Sequence, residues 1–193
     1  MNLEQIKNLR EKTGAGIVEV EKALQESGGD AEKAIVILRK RGQEKAVKKS
    51  ERSAKEGVVA AYIHSNGKVG AIVKLFCETD FVARTEEFKE LARDLAMHIT
   101  ASNPKYLKPD QVSEKIIEQE KEIWVAQLEQ EGKPKNIIPK ALIGKEKKFR
   151  EESALLTQPF VKNPDLTVGE LIGEKIGKIG ENIQVGDFAR FEL

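Results

Sequence analysis

Phe76-Cys77-Glu78-Thr79-Asp80-Phe81-Val82-Ala83-Arg84 is the stretch where the chain changes period. Before it, residues 57–78 alternate as a strand does. After it, Phe88, Leu91, Ala92, Leu95, His98 and Ile99 recur at the spacing of an amphipathic helix. The stretch is therefore a strand-to-helix corner with Phe81 near its tip. Two readings of Phe81 are open. It precedes Phe88 by seven residues, so one continuous helix would turn both inward, with Asp80 as N-cap; pattern alone favours this reading. In the other, Phe81 is a protruding aromatic anchor for a partner protein, beside an acidic group able to disturb a metal site.

Upstream of the corner, Asn66-Gly67 is a two-residue turn signal between two β-rich runs. That turn sets His64 opposite Val69, Tyr62 opposite Ala71, Ala60 opposite Val73 and Val58 opposite Leu75. These residues share an apolar face that should pack on helices. Lys68, Ile72, Lys74, Phe76 and Glu78 make the other, mixed face. Cys77 then lies near Glu56 on the apolar face, away from His64, which argues against a Cys–His nucleophile pair.

Residues 1–42 read as a three-helix module. Leu3, Ile6 and Leu9 begin a first stripe, which Thr13-Gly14-Ala15-Gly16 breaks. Ile17, Val20, Ala23 and Leu24 form a second, ended by Gly28-Gly29. Asp30 caps a third through Ala34, Ile35 and Leu38, closing on Arg39-Lys40-Arg41 and Gly42. Leu9, Leu24, Ile35 and Leu38 should be core. Residues 43–56 are polar and mostly basic, a solvated linker. Without interleaved aromatic residues they are a poor platform for nucleic-acid bases.

Residues 57–193 make the expected core domain. Asn103-Pro104 stops the helix after the corner. Pro109-Asp110 opens another, carrying Val112, Ile116, Ile123 and Trp124 to about Glu131-Gly132. Pro134 starts a further helix with Ile137, Ile138, Leu142 and Ile143. Leu155, Leu156, Phe160 and Val161 form a short apolar segment ended by Asn163-Pro164. Asp165 or Thr167 caps a last helix through Val168, Leu171, Ile172, Ile176 and Ile179, which Gly180 ends. A closing strand over 183–192, interrupted by Gly186-Asp187, joins the hairpin. The fold class is α+β: three N-terminal helices, then a helix-rich core with a small antiparallel sheet.

Composition narrows the function. The 193 residues carry a net charge of +1, too little for a general nucleic-acid or membrane binder. The single cysteine rules out an intrachain disulfide and favours a reducing compartment. The sequence starts without the basic and apolar regions of a signal peptide and has no membrane-length apolar run, so a cytosolic protein is expected. The two histidines, His64 and His98, have core-like neighbours and read as structural. Phosphate-loop and dinucleotide motifs are absent, and no metal or other cofactor is expected. Gly173, Gly177 and Gly180 fit close helix packing better than a phosphate cradle. Absence of a catalytic set points to binding rather than covalent chemistry.

Two stretches then carry a resemblance. One is Leu9-Arg10-Glu11-Lys12-Thr13-Gly14-Ala15-Gly16, with Lys22-Ala23-Leu24, Gly29-Asp30, Lys33-Ala34 and Leu38-Arg39; the other is Cys77 through Arg84. Gln158-Pro159-Phe160-Val161, Thr167-Val168-Gly169-Glu170-Leu171 and Ile179-Gly180-Glu181-Asn182-Ile183 agree with it. The chain resembles the elongation factor Ts family, guanine-nucleotide exchange factors of elongation factor Tu, and in length its short bacterial or organellar members. The resemblance implies an N-terminal module similar to ubiquitin-associated domains. It implies that Thr79, Asp80, Phe81 and Val82 displace magnesium in the partner, with Phe81 wedged into the partner's GTPase domain. Arg10, Ile17 and Val18 match positions that touch the same domain. Where the family usually has two methionines and Asp-Cys-Lys-Lys, this chain has Ile17-Val18-Glu19-Val20-Glu21-Lys22. Val185-Gly186-Asp187-Phe188 departs from a commonly basic stretch. Homodimerisation is a further expectation for a short member; direct nucleic-acid and membrane contacts are not expected. A tethering adaptor built on residues 1–42, and an RNA-associated protein using Arg39–Lys55, are the competing classes.

Overall fold

The computed structural model describes residues 3–193; Met1 and Asn2 of the expected N-terminal module lie outside them. Among the described residues there are eight α-helices, two single 3-10 turns and five strands. They form two compact units. One runs to Met97 and resumes over Glu170–Leu193; the other is His98–Gly169. The N-terminal helices and the hairpin thus share one unit, a different division from the expected cut between 42 and 57.

The first unit begins with α1 (Leu3–Thr13), α2 (Ile17–Glu26) and α3 (Ala31–Lys49). Their stripes close a small core of Ile6, Leu9, Val20, Ala23, Leu24, Ala34 and Leu38, with Ile35 partly buried at its edge. Asp30 caps α3 as expected, accepting from the amides of Glu32 and Lys33. The expected end of α3 at Gly42 is wrong, however: the helix continues to Lys49. The reason is tertiary. Gly42 faces α8 (Val168–Ile179), and a Cβ at Gly177 would stand 3.3 Å from the Gly42 Cα. The two glycines let the helix backbones approach, so Gly42 serves packing rather than termination.

The hairpin is β1 (Glu56–Ile63) and β2 (Val69–Cys77), in the expected register: Val58 faces Leu75, Ala60 faces Val73 and Tyr62 faces Ala71. Its turn differs from the expected two-residue type. Gly67 is left-handed (φ 66°) but Asn66 is not; the Gly67 amide donates to His64, and Asn66 Oδ1 accepts from the Lys68 amide. His64 is exposed at this turn, so it is not a core histidine. The closing strand β5 (Gln184–Glu192) pairs with β2, giving the order β1-β2-β5. Gly186 and Asp187 together oppose Lys74, a bulge at the expected interruption. The Phe76 ring lies over Gly186, where a Cβ would stand 2.5 Å from it. Ala71, Val73, Leu75 and Cys77 on the inner face are buried, while Val59, Ile63, Ile72 and Phe191 are exposed.

The second unit takes the end of α5 (Glu86–Ser102), then α6 (Glu114–Gln130) and α7 (Ile138–Ser153). Ser113, not Pro109-Asp110, precedes α6; those residues form a separate 3-10 turn. The buried stripe of α6 is Ile117, Trp124 and Leu128, with Ile123 exposed. Trp124 meets Phe149 of α7 edge-on, with ring centroids 5.7 Å apart. Asn163-Pro164 does not merely end a segment, because β3 (Pro159–Phe160) and β4 (Asn163–Thr167) pair antiparallel.

His98 is fully buried in this unit. Its Nδ1 accepts from the Val161 amide at 3.2 Å, so Nε2 carries the proton and donates to Gln158 Oε1 at 3.0 Å. Burial holds its pKa below the ordinary 6.5, against the opposing pull of Gln158. A depressed histidine contributes stability that is present above 6.5 and lost as the pH falls below it, because the unfolded chain then binds the extra proton. The urea midpoint should fall between pH 7.5 and pH 5.5 by the equivalent of about 1 kcal/mol. A flat profile over that window would contradict this assignment.

Candidate functional site

At the corner β2 ends at Cys77 and a helix of only four residues, α4 (Asp80–Ala83), follows. Thr79, not Asp80, is its N-cap: the Thr79 hydroxyl accepts from the Val82 amide at 3.4 Å. Asp80 instead pairs with Arg84 one turn on, at 2.9 Å. A second cap, Thr85, accepts from the Phe88 amide and starts α5 as a separate helix. The corner is thus two helices, and the seven-residue spacing of Phe81 and Phe88 does not run along one of them. Phe81 is 79 % exposed while Phe88 is 0 % exposed. Val82 is half-buried and Ala83 buried, so α4 rests on Ala83 and turns Phe81 outward.

The underside of the corner is fully bonded. The Cys77 thiol donates to the Thr79 carbonyl at 3.2 Å. Burial, with the Glu181 carboxylate beside it, pushes that thiol up to about 11. Its thiolate fraction at pH 8 is then about a hundredfold below that of an ordinary cysteine. Native protein should react with iodoacetamide at pH 8 about a hundredfold more slowly than urea-unfolded protein; equal rates would show an accessible thiol.

Glu181 and Asn182 were quoted in the sequence only as matching residues, with no role. Glu181 accepts from the amides of Glu78 and Thr79 and from the Thr79 hydroxyl. The signal available in the sequence was a polar pair directly after the helix-ending Gly180.

Helix α8 also reaches the N-terminal helices. Its Lys175 and Lys178 both pair with Glu87 of α5, at 2.8 and 2.6 Å. The Lys178 stem lies against Gly14, whose φ of 66° keeps the α1–α2 loop tight. Beyond that loop Ile17 and Val18 stand exposed on the first turn of α2. Arg10 is exposed on α1 and lines a shallow groove with Leu3, Ile6 and Ile17. Thr79, Asp80, Phe81 and Val82 therefore form one protrusion, and Arg10 and Ile17 share a separate groove. Much of the basic stretch proposed for RNA is engaged: Arg39 with Glu174, Arg41 with Glu26, Lys45 with Glu19, Arg52 with Glu78, and Lys49 with the Gly180 carbonyl. Among the described residues no helix is long and apolar enough to cross a membrane.

An α+β chain with three N-terminal helices and an exposed aromatic corner is the class this geometry defines, and comparison with known proteins makes it specific. Residues 4–193 match the family model for elongation factor TS. The chain is 53 % identical to elongation factor Ts of Carboxydothermus hydrogenoformans over 190 residues, 98 % of this chain and 88 % of the relative. It is 52 % identical to that of Koribacter versatilis, covering 98 % and 86 %, and 51 % identical to that of Thermodesulfovibrio yellowstonii, covering 98 % and 94 %. The chain belongs to the elongation factor Ts family, a family of translation elongation factors.

Proposed function

We propose that this protein is a guanine-nucleotide exchange factor for elongation factor Tu, acting in the cytoplasm without covalent chemistry. The carrying observation is Phe81, a large aromatic residue held outward on a short capped helix in the stretch that bears the family resemblance. Arg10, Ile17 and Val18 dock the N-terminal helices, read as a ubiquitin-associated-like module, on the partner's GTPase domain. Thr79, Asp80, Phe81 and Val82 then disturb the elements that hold magnesium and phosphate.

The energetics need no bond to be made or broken. A nucleotide held at nanomolar affinity is stabilised by about 12 kcal/mol. Speeding its release about ten-thousandfold requires a barrier lowered by roughly 5.5 kcal/mol. The factor must bind the nucleotide-free partner more tightly than the nucleotide-bound one, and linkage makes that preference reciprocal. Magnesium bridges the phosphates to the GTPase, so loosening its ligands weakens both at once.

The test is release of labelled GDP from purified elongation factor Tu, with and without this chain. Acceleration by orders of magnitude is expected; none would refute the reading. Homodimerisation, expected from the likeness to short members, is tested separately by sedimentation velocity at micromolar concentration.

A further inference from the structure

We propose that Glu181 is a positioning residue for the corner, its carboxylate fixing the direction in which α4 presents Phe81. The inference rests on the reading of Phe81 as the working tip. Phe81 is mostly exposed, so little holds it except the backbone of α4. That helix has four residues, too few to be stable by itself. Its orientation must come from what holds its start.

Glu181 supplies that hold. Strand β2 stops at Cys77 and α4 starts at Asp80, so the amides of Glu78 and Thr79 belong to neither regular element. Both donate to Glu181 Oε2, each at 3.1 Å. The Thr79 hydroxyl donates to Glu181 Oε1 at 2.6 Å. With its hydrogen committed there, the hydroxyl oxygen is free to accept from the Val82 amide, the bond that caps α4. One carboxylate therefore fixes the Thr79 rotamer and, through it, the axis of the helix that carries Phe81.

The hold is reciprocal and anchored. Glu78 Oε1 accepts from the Asn182 amide at 2.6 Å. The buried Asn182 side chain donates to the carbonyls of Arg52 at 2.7 Å and Ser50 at 3.4 Å, just past α3. The end of β2, the end of α8 and the end of α3 meet in one set of hydrogen bonds. A buried set of this kind is stiff when every member is satisfied.

GDP release from elongation factor Tu is measured with wild type, Glu181→Ala, Glu181→Gln, Phe81→Ala and the double variant Phe81→Ala/Glu181→Ala. Glu181→Ala is expected to lower the maximal release rate at least tenfold. Glu181→Gln, which keeps one carbonyl acceptor, should lose less. In the Phe81→Ala background, Glu181→Ala should cost no more than about twofold, because the tip it positions is already gone. Amide hydrogen exchange of the free protein should quicken at Thr79 and Val82 in Glu181→Ala. Protection unchanged there, a wild-type rate in Glu181→Ala beside a slow Phe81→Ala, or losses that multiply in the double variant would each overturn the inference. Should Glu181→Ala not fold, the same comparisons are made with Glu181→Gln. Phe81→Ala at the wild-type rate would instead overturn the reading of the tip, and the inference with it.

Discussion

Replacing Phe81 with alanine should slow catalysed GDP release by about 30- to 1,000-fold, the loss of one central aromatic anchor at roughly 2–4 kcal/mol. The fold should barely notice. The ring is 79 % exposed in the free protein, and surface substitutions of this kind stay within about 0.5 kcal/mol. The denaturant midpoint and the far-UV spectrum should therefore match wild type while the release assay fails. Loss of stability in parallel with activity would mean that Phe81 is core after all. Normal release with normal stability would remove the corner from the mechanism.

Phe88→Ala is the opposite case. Phe88 is wholly buried on the stripe with Leu91, Ala92 and Leu95. Truncation removes a large apolar group and leaves a cavity, at a cost of about 3–5 kcal/mol. Typical domains are stable by only about 5–15 kcal/mol, so this is a substantial share of the total. A fall of many degrees in the melting temperature is expected, and exchange activity should disappear on heating at the same lower temperature. A melting temperature within a degree or two of wild type would contradict the burial.

The contrast between these two phenylalanines marks what could be read in advance. The stripe from Phe88 to Ile99 was legible because six apolar or part-apolar positions keep one helical face. Phe81 was not, because a period of seven says nothing about a break between its ends. The break is local chemistry: Thr79 caps one short helix and Thr85 another. Either Thr79 or Asp80 could have been the cap, and the choice depends on Glu181, a hundred residues away in sequence.

Other differences have similar causes. The hairpin register followed from strict alternation, whereas its turn type depended on backbone angles that alternation does not encode. In α6 adjacent apolar pairs, Ile116-Ile117 and Ile123-Trp124, allow two stripes; the one facing α7 is buried. Gly42 looked like a helix end because its packing partner, Gly177, lies far along the chain. The pairing of β3 with β4 was hidden by Pro164, whose missing amide hydrogen suits a sheet edge as well as a breaker. Exposure of Ile17 and Val18 agrees with the positions the resemblance named, but exposure does not identify what they touch.

The end of α8 carries one further consequence. Gly177 meets Gly42, Lys178 meets the loop at Gly14, and Glu181 holds the corner. The reference points for both exposed regions thus fall within about one helical turn, and α8 works as a ruler. One residue inserted between Lys178 and Glu181 would advance the chain about 1.5 Å and rotate it by about 100°. Every side chain would survive, yet the tip and the docking helices would lose their common origin. The tolerance for length is nearly zero there, while the exposed turn at Asn66-Gly67 can absorb an insertion with no such loss of alignment.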